Sequence, residues 1–187
     1  MSFLIGPGLG ENSKAEVVFQ MVLEHISEHQ ILIIDGSALN LLAKAKPITD
    51  QNESSHIDTT SKKNGKRLSG IAISNQTIEN TKAALQEFPE QTVLVAKSHQ
   101  TKIIQGNQVG ELTVGGPYQA TGGMGDTLCG MIAGFVAQFK DNLLNSVATA
   151  TYLHSYIADQ LSDQVYVVLP TTISAELPRI MKEFSER

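Results

Sequence analysis

Residues 120–138 read ATGGMGDTLCGMIAGFVAQ. Gly122, Gly123 and Gly125 stand just ahead of Asp126, and from there Leu128, Met131, Ile132, Phe135, Val136 and Phe139 recur at helical spacing. That period predicts a helix with one buried face. Glycines at its start leave the first backbone N–H groups uncovered. Those unpaired donors carry partial positive charge, so the helix start is a ready anion site. Without Cβ atoms in the way, a phosphate can approach the backbone closely. Asp126 sits at the mouth of this cradle, where a carboxylate can take the proton of a hydroxyl attacking phosphorus. Asp is also a favoured helix cap, and spacing alone does not separate the two roles. Gly130 and Gly134, one turn apart on the same helix, predict that another backbone comes close there.

Upstream, residues 2–5 (SFLI), 31–34 (ILII) and 92–96 (TVLVA) are aliphatic runs that predict strands. The second and third lack polar alternation, which predicts burial on both faces. Helical patterns separate or follow them. One starts at Ser13, expected as N-cap with Glu16 as its capping-box partner, and buries Val17, Val18, Met21, Val22 and Ile26. Others cover residues 38–44, 75–88, 142–160 and 174–184, with Leu144, Val147, Ala148 and Thr151 inward on the fourth of the five. Residues 102–104 and 111–114 predict short strands around a Gly106-Asn107 turn. Strands alternating with helices argue for a mostly parallel α/β sheet.

Ligands of open α/β sheets bind beyond the carboxyl ends of strands, and each aliphatic run ends in residues suited to that place. Gly6, Gly8 and Gly10 follow the first, in a glycine loop that also reads as a plain turn. Asp35 and Asn40 follow the second, where Asp35 can line a site or cap the next helix. Lys97, Ser98, His99, Gln100 and Thr101 follow the third; Lys97 suits neutralising a phosphate and Thr101 bonding one, against the alternative of a solvated turn.

Composition narrows the function classes. The chain has 187 residues, 41% hydrophobic and 18% charged, which fits a folded protein with one core. Lys and Arg total 14 against 19 Asp and Glu, and a net charge of −5 offers little to a nucleic-acid backbone. No apolar run is long enough for a membrane span, and no secretory signal opens the chain. The single cysteine, Cys129, excludes an internal disulfide and a multi-cysteine zinc site, and its place in the apolar period predicts core packing. His25 and His29 share a helix face but lack a third ligand, so no metal site is expected. These features predict a cytoplasmic protein that binds small molecules, with neither nucleic acid nor membrane as partner.

Taken in order, LIGPGLG, IIDGSALNLL, VLVAKSHQT and ATGGMGDTLCGMIAGFVAQ resemble the ADP- or ATP-dependent NAD(P)H-hydrate dehydratases of the ribokinase-like superfamily. The resemblance implies a three-layer αβα fold with a mostly parallel sheet flanked by helices. It implies that ADP or ATP phosphorylates the hydroxyl of hydrated NAD(P)H, after which phosphate leaves and NAD(P)H is restored. Carried over by position, Asp126 is the acid that contacts the hydrate and acts as base. Gly125 is the nucleotide-phosphate glycine. Lys97, Ser98, His99, Gln100 and Thr101 bind the adenine nucleotide, and Gly8 contacts substrate. Secondary candidates are Gly6, Gly10, Asp35, Asn40, Gly122 and Gly123. Mg2+ is implied by phosphoryl transfer, with no ligand assigned, and homo-oligomers are implied by the family. A hydroxyethylthiazole-type kinase and an inactive nucleotide-binding remnant are the competing readings.

Three departures accompany the resemblance. Met124 replaces a usual threonine, removing a hydroxyl but leaving the backbone donors. Family members are longer at the N-terminus, so the chain is expected to be one partial domain, residues 1–187, that lacks the first strands of the sheet. Residues 47–66 (PITDQNESSHIDTTSKKNGK) are polar where the family carries a Thr-Pro-His segment, and predict an anomalous loop. Codons for Ile57-Asp58-Thr59-Thr60-Ser61 read one nucleotide later admit Leu-Thr-Pro-His, so the stretch is expected to be frame-shifted.

Overall fold

The computed structural model describes residues 1–27, 29–45, 55–61 and 71–186, with the backbone alone for 55–61 and residue 73. Elements follow in the order β1 (Ser2–Ile5), α1 (Ser13–His25), β2 (Ile31–Ile34), α2 (Ser37–Lys44), β3 (Ser55–Ser61), α3 (Ile78–Leu85), β4 (Val93–Lys97), β5 (Lys102–Gln105), β6 (Gln108–Glu111), α4 (Met124–Gln138), α5 (Leu143–Ser162) and α6 (Pro170–Ser185). The six strands lie in sequence order in one sheet. β1 to β4 run parallel, and β4 to β6 antiparallel.

Right-handed crossovers that always step the same way across a sheet put their helices on one face. Alternation along the strands shows both faces. Leu32 and Ile34 pack with Ala15 and Phe19 of α1 and with Ala38, Leu39, Leu41 and Leu42 of α2. Ile33, Val93, Val95 and Ile103 pack on the other side, against Leu128, Ile132 and Val136 of α4, Val147 and Ile157 of α5, and Ile173 and Ile180 of α6. The result is three layers, as expected from the sequence. Each fully buried Ile or Leu stabilises this arrangement by about 1.5–3 kcal/mol.

Several expectations need correction. Residues 47–66 are not loop throughout. Ser55–Ser61 is a strand, pairing Ile34 with Asp58 on one side and Asp58 with Leu94 on the other. Ladder hydrogen bonds belong to the backbone, so a polar sequence can be held between two apolar strands that leave a gap of one strand width. The remainder of that stretch lies outside the described residues. Asn12, not Ser13, caps α1, its side chain accepting from the Ala15 N–H. The α1 face is also rotated from the expected one: Val17, Val18 and Met21 are exposed, while Ala15 and Phe19 are buried. α1 docks on α2 and β2 through Ala15, Phe19, Val22 and Ile26, and the hydrophobic residues beside that stripe point away. Among the described residues, nothing lies within 4 Å of a Cβ built on Gly130 or Gly134, so the close approach expected on that side of the helix is not found. α6 begins at Pro170, earlier than expected, because proline suits the first turn of a helix. No helix among the described residues is long and apolar enough to cross a membrane.

Candidate functional site

The carboxyl ends of β1, β2 and β4 open on one edge of the sheet. Asp35, just past β2, has the same parity as Ile31 and Ile33. Lys97, at the end of β4, has the parity of Val93 and Val95. Both therefore point to the α4 face. Lys97 Nζ donates to Asp35 Oδ1 at 2.9 Å and Oδ2 at 3.0 Å. Asp35 is 4% exposed and also accepts from Cys129 Sγ at 3.1 Å. Cys129 is thus more than packing: its thiol is tied to the carboxylate that holds the lysine.

Gly125 explains why the lysine can stand there. A Cβ at Gly125 would lie 3.3 Å from Lys97 Nζ and 3.8 Å from Asp35 Oδ2. The ammonium is therefore delivered to the first turn of α4. Gly123 caps that helix in the left-handed region, φ 83°, with no side-chain cap bond. The Thr127 N–H bonds the Gly123 carbonyl at 2.9 Å, which starts the helical ladder and leaves the amides before it directed outward. Asp126 lies in this first turn with its side chain exposed, and its carboxylate makes no hydrogen bond among the described residues. Met124 is buried in the core against α5 and α6.

A cleft of about 620 Å³ runs from here between the loop after β4 and α5. Of the expected residues it gathers Lys97, Ser98, His99, Thr101 and Gly125; Gln100 is not among its walls. Ser98, Gln100 and Thr101 also hold one another. Ser98 Oγ donates to the Gln100 carbonyl at 2.7 Å, and Thr101 Oγ1 to the Ser98 carbonyl at 3.1 Å.

The opposite wall was not expected from the sequence. The 115–119 segment is pinned to α5 by Asp159, which accepts from the Gly115 N–H at 2.9 Å and from the Tyr118 hydroxyl. Burial pushes the Asp159 carboxyl up from its ordinary value, with the Gly115 bond opposing. Behind it, His154 is 4% exposed and lines the cleft with Thr151 and Ser155. Burial pushes its imidazole down to about 4, the Met124 backbone opposing and the Lys97 charge adding to the shift. The α5 apolar stripe carried the signal, since Val147 and Thr151 lead one turn later to position 154.

The remaining candidates lie beside this cleft rather than in it. Gly6 is buried, and its carbonyl accepts from Ser37 Oγ at 2.9 Å. Asn40 Nδ2 donates to Glu11 Oε1, so it ties the glycine loop to α2. Gly8 and Gly10 are exposed on that loop, and Gly122 is exposed ahead of α4.

Comparison with known proteins agrees with this arrangement. Residues 1–179 match the carbohydrate-kinase family described as NAD(P)H-hydrate dehydratase. The chain is 53% identical, over 97% of its length, to the ADP-dependent (S)-NAD(P)H-hydrate dehydratase of Streptococcus thermophilus, and spans 66% of that protein. A ribokinase-like superfamily protein of Enterococcus faecalis superposes with a TM-score of 0.89 at 40% identity, over 98% of this chain and 63% of that one. The ADP/ATP-dependent NAD(P)H-hydrate dehydratase of Bacillus subtilis, co-crystallised with ATP and Mg2+, superposes with a TM-score of 0.83 at 28% identity, over 98% of this chain and 64% of that one.

Proposed function

The chain belongs to the NAD(P)H-hydrate dehydratase family, and on that premise we propose that it carries out the ADP-driven dehydration of (S)-NAD(P)H hydrate to NAD(P)H. The observation that carries this reading is the first turn of α4. Its amides are uncapped by any side chain, Lys97 is held against Gly125, and the Asp126 carboxylate is exposed beside them. In this reading the nucleotide lies in the cleft with its phosphates over residues 122–125. The amides and the Lys97 ammonium stabilise charge on the transferring phosphoryl group, and no reorganisation is needed as the charge develops. Asp126 accepts the proton of the hydrate's hydroxyl as its oxygen bonds phosphorus, and AMP leaves. Loss of that phosphate from its carbon, together with a proton from the neighbouring ring carbon, restores the ring double bond. The hydrate would approach from the Gly8 side of the same edge.

Among the described residues, no three His, Cys, Asp or Glu side chains cluster to hold a metal. The donors present fit Mg2+ carried in on the nucleotide's phosphates, with Asp126 the acidic residue of the first turn. Bound there, the ion would lower the charge on the transferring group. Residues 1–187 are read as one partial domain of this family, acting on a hydrated dinucleotide and an adenine nucleotide.

The test is recovery of NADH absorbance from hydrated NADH and ADP. Recovery in the wild type and a loss of about 10²- to 10⁴-fold in Asp126→Ala are expected, at unchanged thermal stability because the side chain is exposed. Phosphorylation of hydroxyethylthiazole without hydrate turnover would assign a kinase instead. Nucleotide binding with turnover of neither would assign an inactive remnant.

A further inference from the structure

Gly115, Gly116, Pro117 and Gln119 form the cleft wall across from Ser98, His99 and Thr101, while Asp159 stands behind that wall and does not line the cleft. A single oxygen of Asp159, Oδ1, accepts both the Gly115 N–H at 2.9 Å and the Tyr118 hydroxyl. Glycine lets the segment lie against α5 at this point. Gly115 has φ 104°, and a Cβ there would stand 2.7 Å from Gln119 Oε1 and 3.3 Å from Ser155 Oγ. Ser155 and Asp159 are one turn apart on α5, so the same stretch of wall meets both. The wall's own helical turn, Pro117–Gln119, is three residues long and supplies little stability by itself. Its attachments fix it instead. The Val168 N–H holds the Tyr118 carbonyl at 3.0 Å from the chain leading into α6, and Asp159 holds the segment from α5. Keeping the acid there costs the fold something, because burial and the nearby Asp163 both push its carboxyl up from its ordinary value while the Gly115 bond opposes. An ionised acceptor makes stronger hydrogen bonds than a neutral one, which suits a wall that must stay put.

We infer that Asp159 is a positioning residue of the nucleotide site: by holding Gly115 and Tyr118 together, it sets where the 115–119 wall stands relative to the loop after β4. This rests on the nucleotide reading above and adds to it a residue outside the cleft. With the phosphates over residues 122–125, the space between the two walls is left for the nucleoside. A wall already in place receives the nucleoside without first being ordered, and a loose wall subtracts that ordering from the binding free energy. The first turn of α4 is served separately, by the pair of Lys97 with Asp35, so the phosphoryl-transfer end of the site does not depend on Asp159.

The experiment is calorimetric titration of the wild type, Asp159→Ala and Asp159→Asn with ADP, each variant checked by circular dichroism, followed by hydrate turnover over a range of ADP concentrations. Alanine should weaken ADP by about tenfold and raise its KM to match. It should leave kcat at saturating ADP within about twofold, because the transferring end of the site is untouched. Asparagine keeps Oδ1 as acceptor of both bonds and should return the affinity to within about threefold of the wild type. A folded Asp159→Ala that binds ADP like the wild type overturns the inference and leaves the residue a structural role only. Asparagine as weak as alanine overturns it too, since the two bonds would then not be what matters. So does a fall in kcat at unchanged KM. Should Asp159→Ala fail to fold, Tyr118→Phe decides: it deletes one of the two bonds and must weaken ADP by about threefold, half the alanine effect in free energy, and wild-type affinity there overturns the inference. A wild type that takes up no ADP overturns the nucleotide reading itself, and the inference with it.

Discussion

Gly6 and Gly125 both lie against Asp35, one on its backbone and the other beside its carboxylate. A Cβ at Gly6 would stand 1.7 Å from the Asp35 carbonyl oxygen, while a Cβ at Gly125 would stand 3.3 Å from the end of a lysine side chain. In the first case glycine lets two backbones cross, and nothing can give. In the second it makes room for a charge that can swing aside. The loop at residue 6 is therefore a joint of the scaffold that happens to end at the ligand edge, and the turn at residue 125 is where the scaffold presents a charge to that edge. Similar glycine loops on one sheet edge thus have different consequences when changed.

The largest expected effect breaks the comparison if it fails. Gly6→Ala must move the Asp35 carbonyl and also forces a side chain into φ 128°. A loss of about 4 kcal/mol in folding stability is expected, at the upper end for single substitutions. Denaturant titration by circular dichroism checks it. A loss below about 1 kcal/mol would mean that the joint is soft and that the contrast with Gly125 is empty.

The pH dependence of stability comes next. Burial holds the folded His154 near 4, below the ordinary value of 6.5. Between those values the unfolded chain binds a proton that the folded chain refuses, so stability falls as pH drops from about 6.5 to 4 and is fully present above that window. The contribution reaches about 3 kcal/mol. Denaturation midpoints measured across that window in the wild type and in His154→Gln check it, since the glutamine variant should lose this share of the slope. An identical slope in both would place the titrating group elsewhere.

Much of this was legible in the sequence, and the parts that were not share a cause. The strands at 31–34 and 92–96 and the helix from Met124 are local patterns, and each formed where its period indicated. The cleft residues Lys97, Ser98, His99, Thr101 and Gly125 followed from strand ends and glycines. The ion pair of Lys97 with Asp35 was also within reach, because alternation along β2 and β4 puts both side chains on one face. What local pattern could not give is which elements meet across the sheet. Cys129 reaches Asp35 only because α4 packs over β2, and Gln119 reaches His154 only because the 115–119 segment is pinned to Asp159. Ser55–Ser61 was missed for a related reason: its strand is imposed by the neighbours' ladder bonds and not by its own side chains.

A smaller effect sharpens the role given to Lys97. Asp35→Asn keeps the shape but removes the charge that anchors the ammonium. With Lys97 24% exposed, solvent screens part of the loss, and about 2 kcal/mol of stability should go. If Asp35 only stabilises the fold, ADP affinity measured by calorimetry should be unchanged. If it aims Lys97 at residue 125, ADP affinity should change and its dependence on salt should rise, because an ammonium without its Asp35 counter-charge answers more strongly to phosphate and to screening.

The smallest expected change in stability belongs to Gly125→Ala, and it tests the other half of the comparison. Gly125 is in the first turn of α4 and outside the left-handed region, so alanine gains up to about 1 kcal/mol of helix propensity there. Against that gain stands the contact at 3.3 Å with Lys97 Nζ, which a flexible side chain relieves by shifting a few tenths of an ångström. The two nearly cancel, and the denaturation midpoint should move by less than about 1 kcal/mol in either direction. ADP affinity should nonetheless fall by about tenfold, since the added methyl stands where the phosphates would meet the backbone and displaces the lysine that faces them. Gly130→Ala is the control: it lies on the same helix beyond the first turn and outside the left-handed region, and among the described residues a Cβ there meets nothing within 4 Å. A variant at 125 that folds and binds ADP like the wild type would show that the space beside Lys97 is spare, and that the glycine there serves the helix alone.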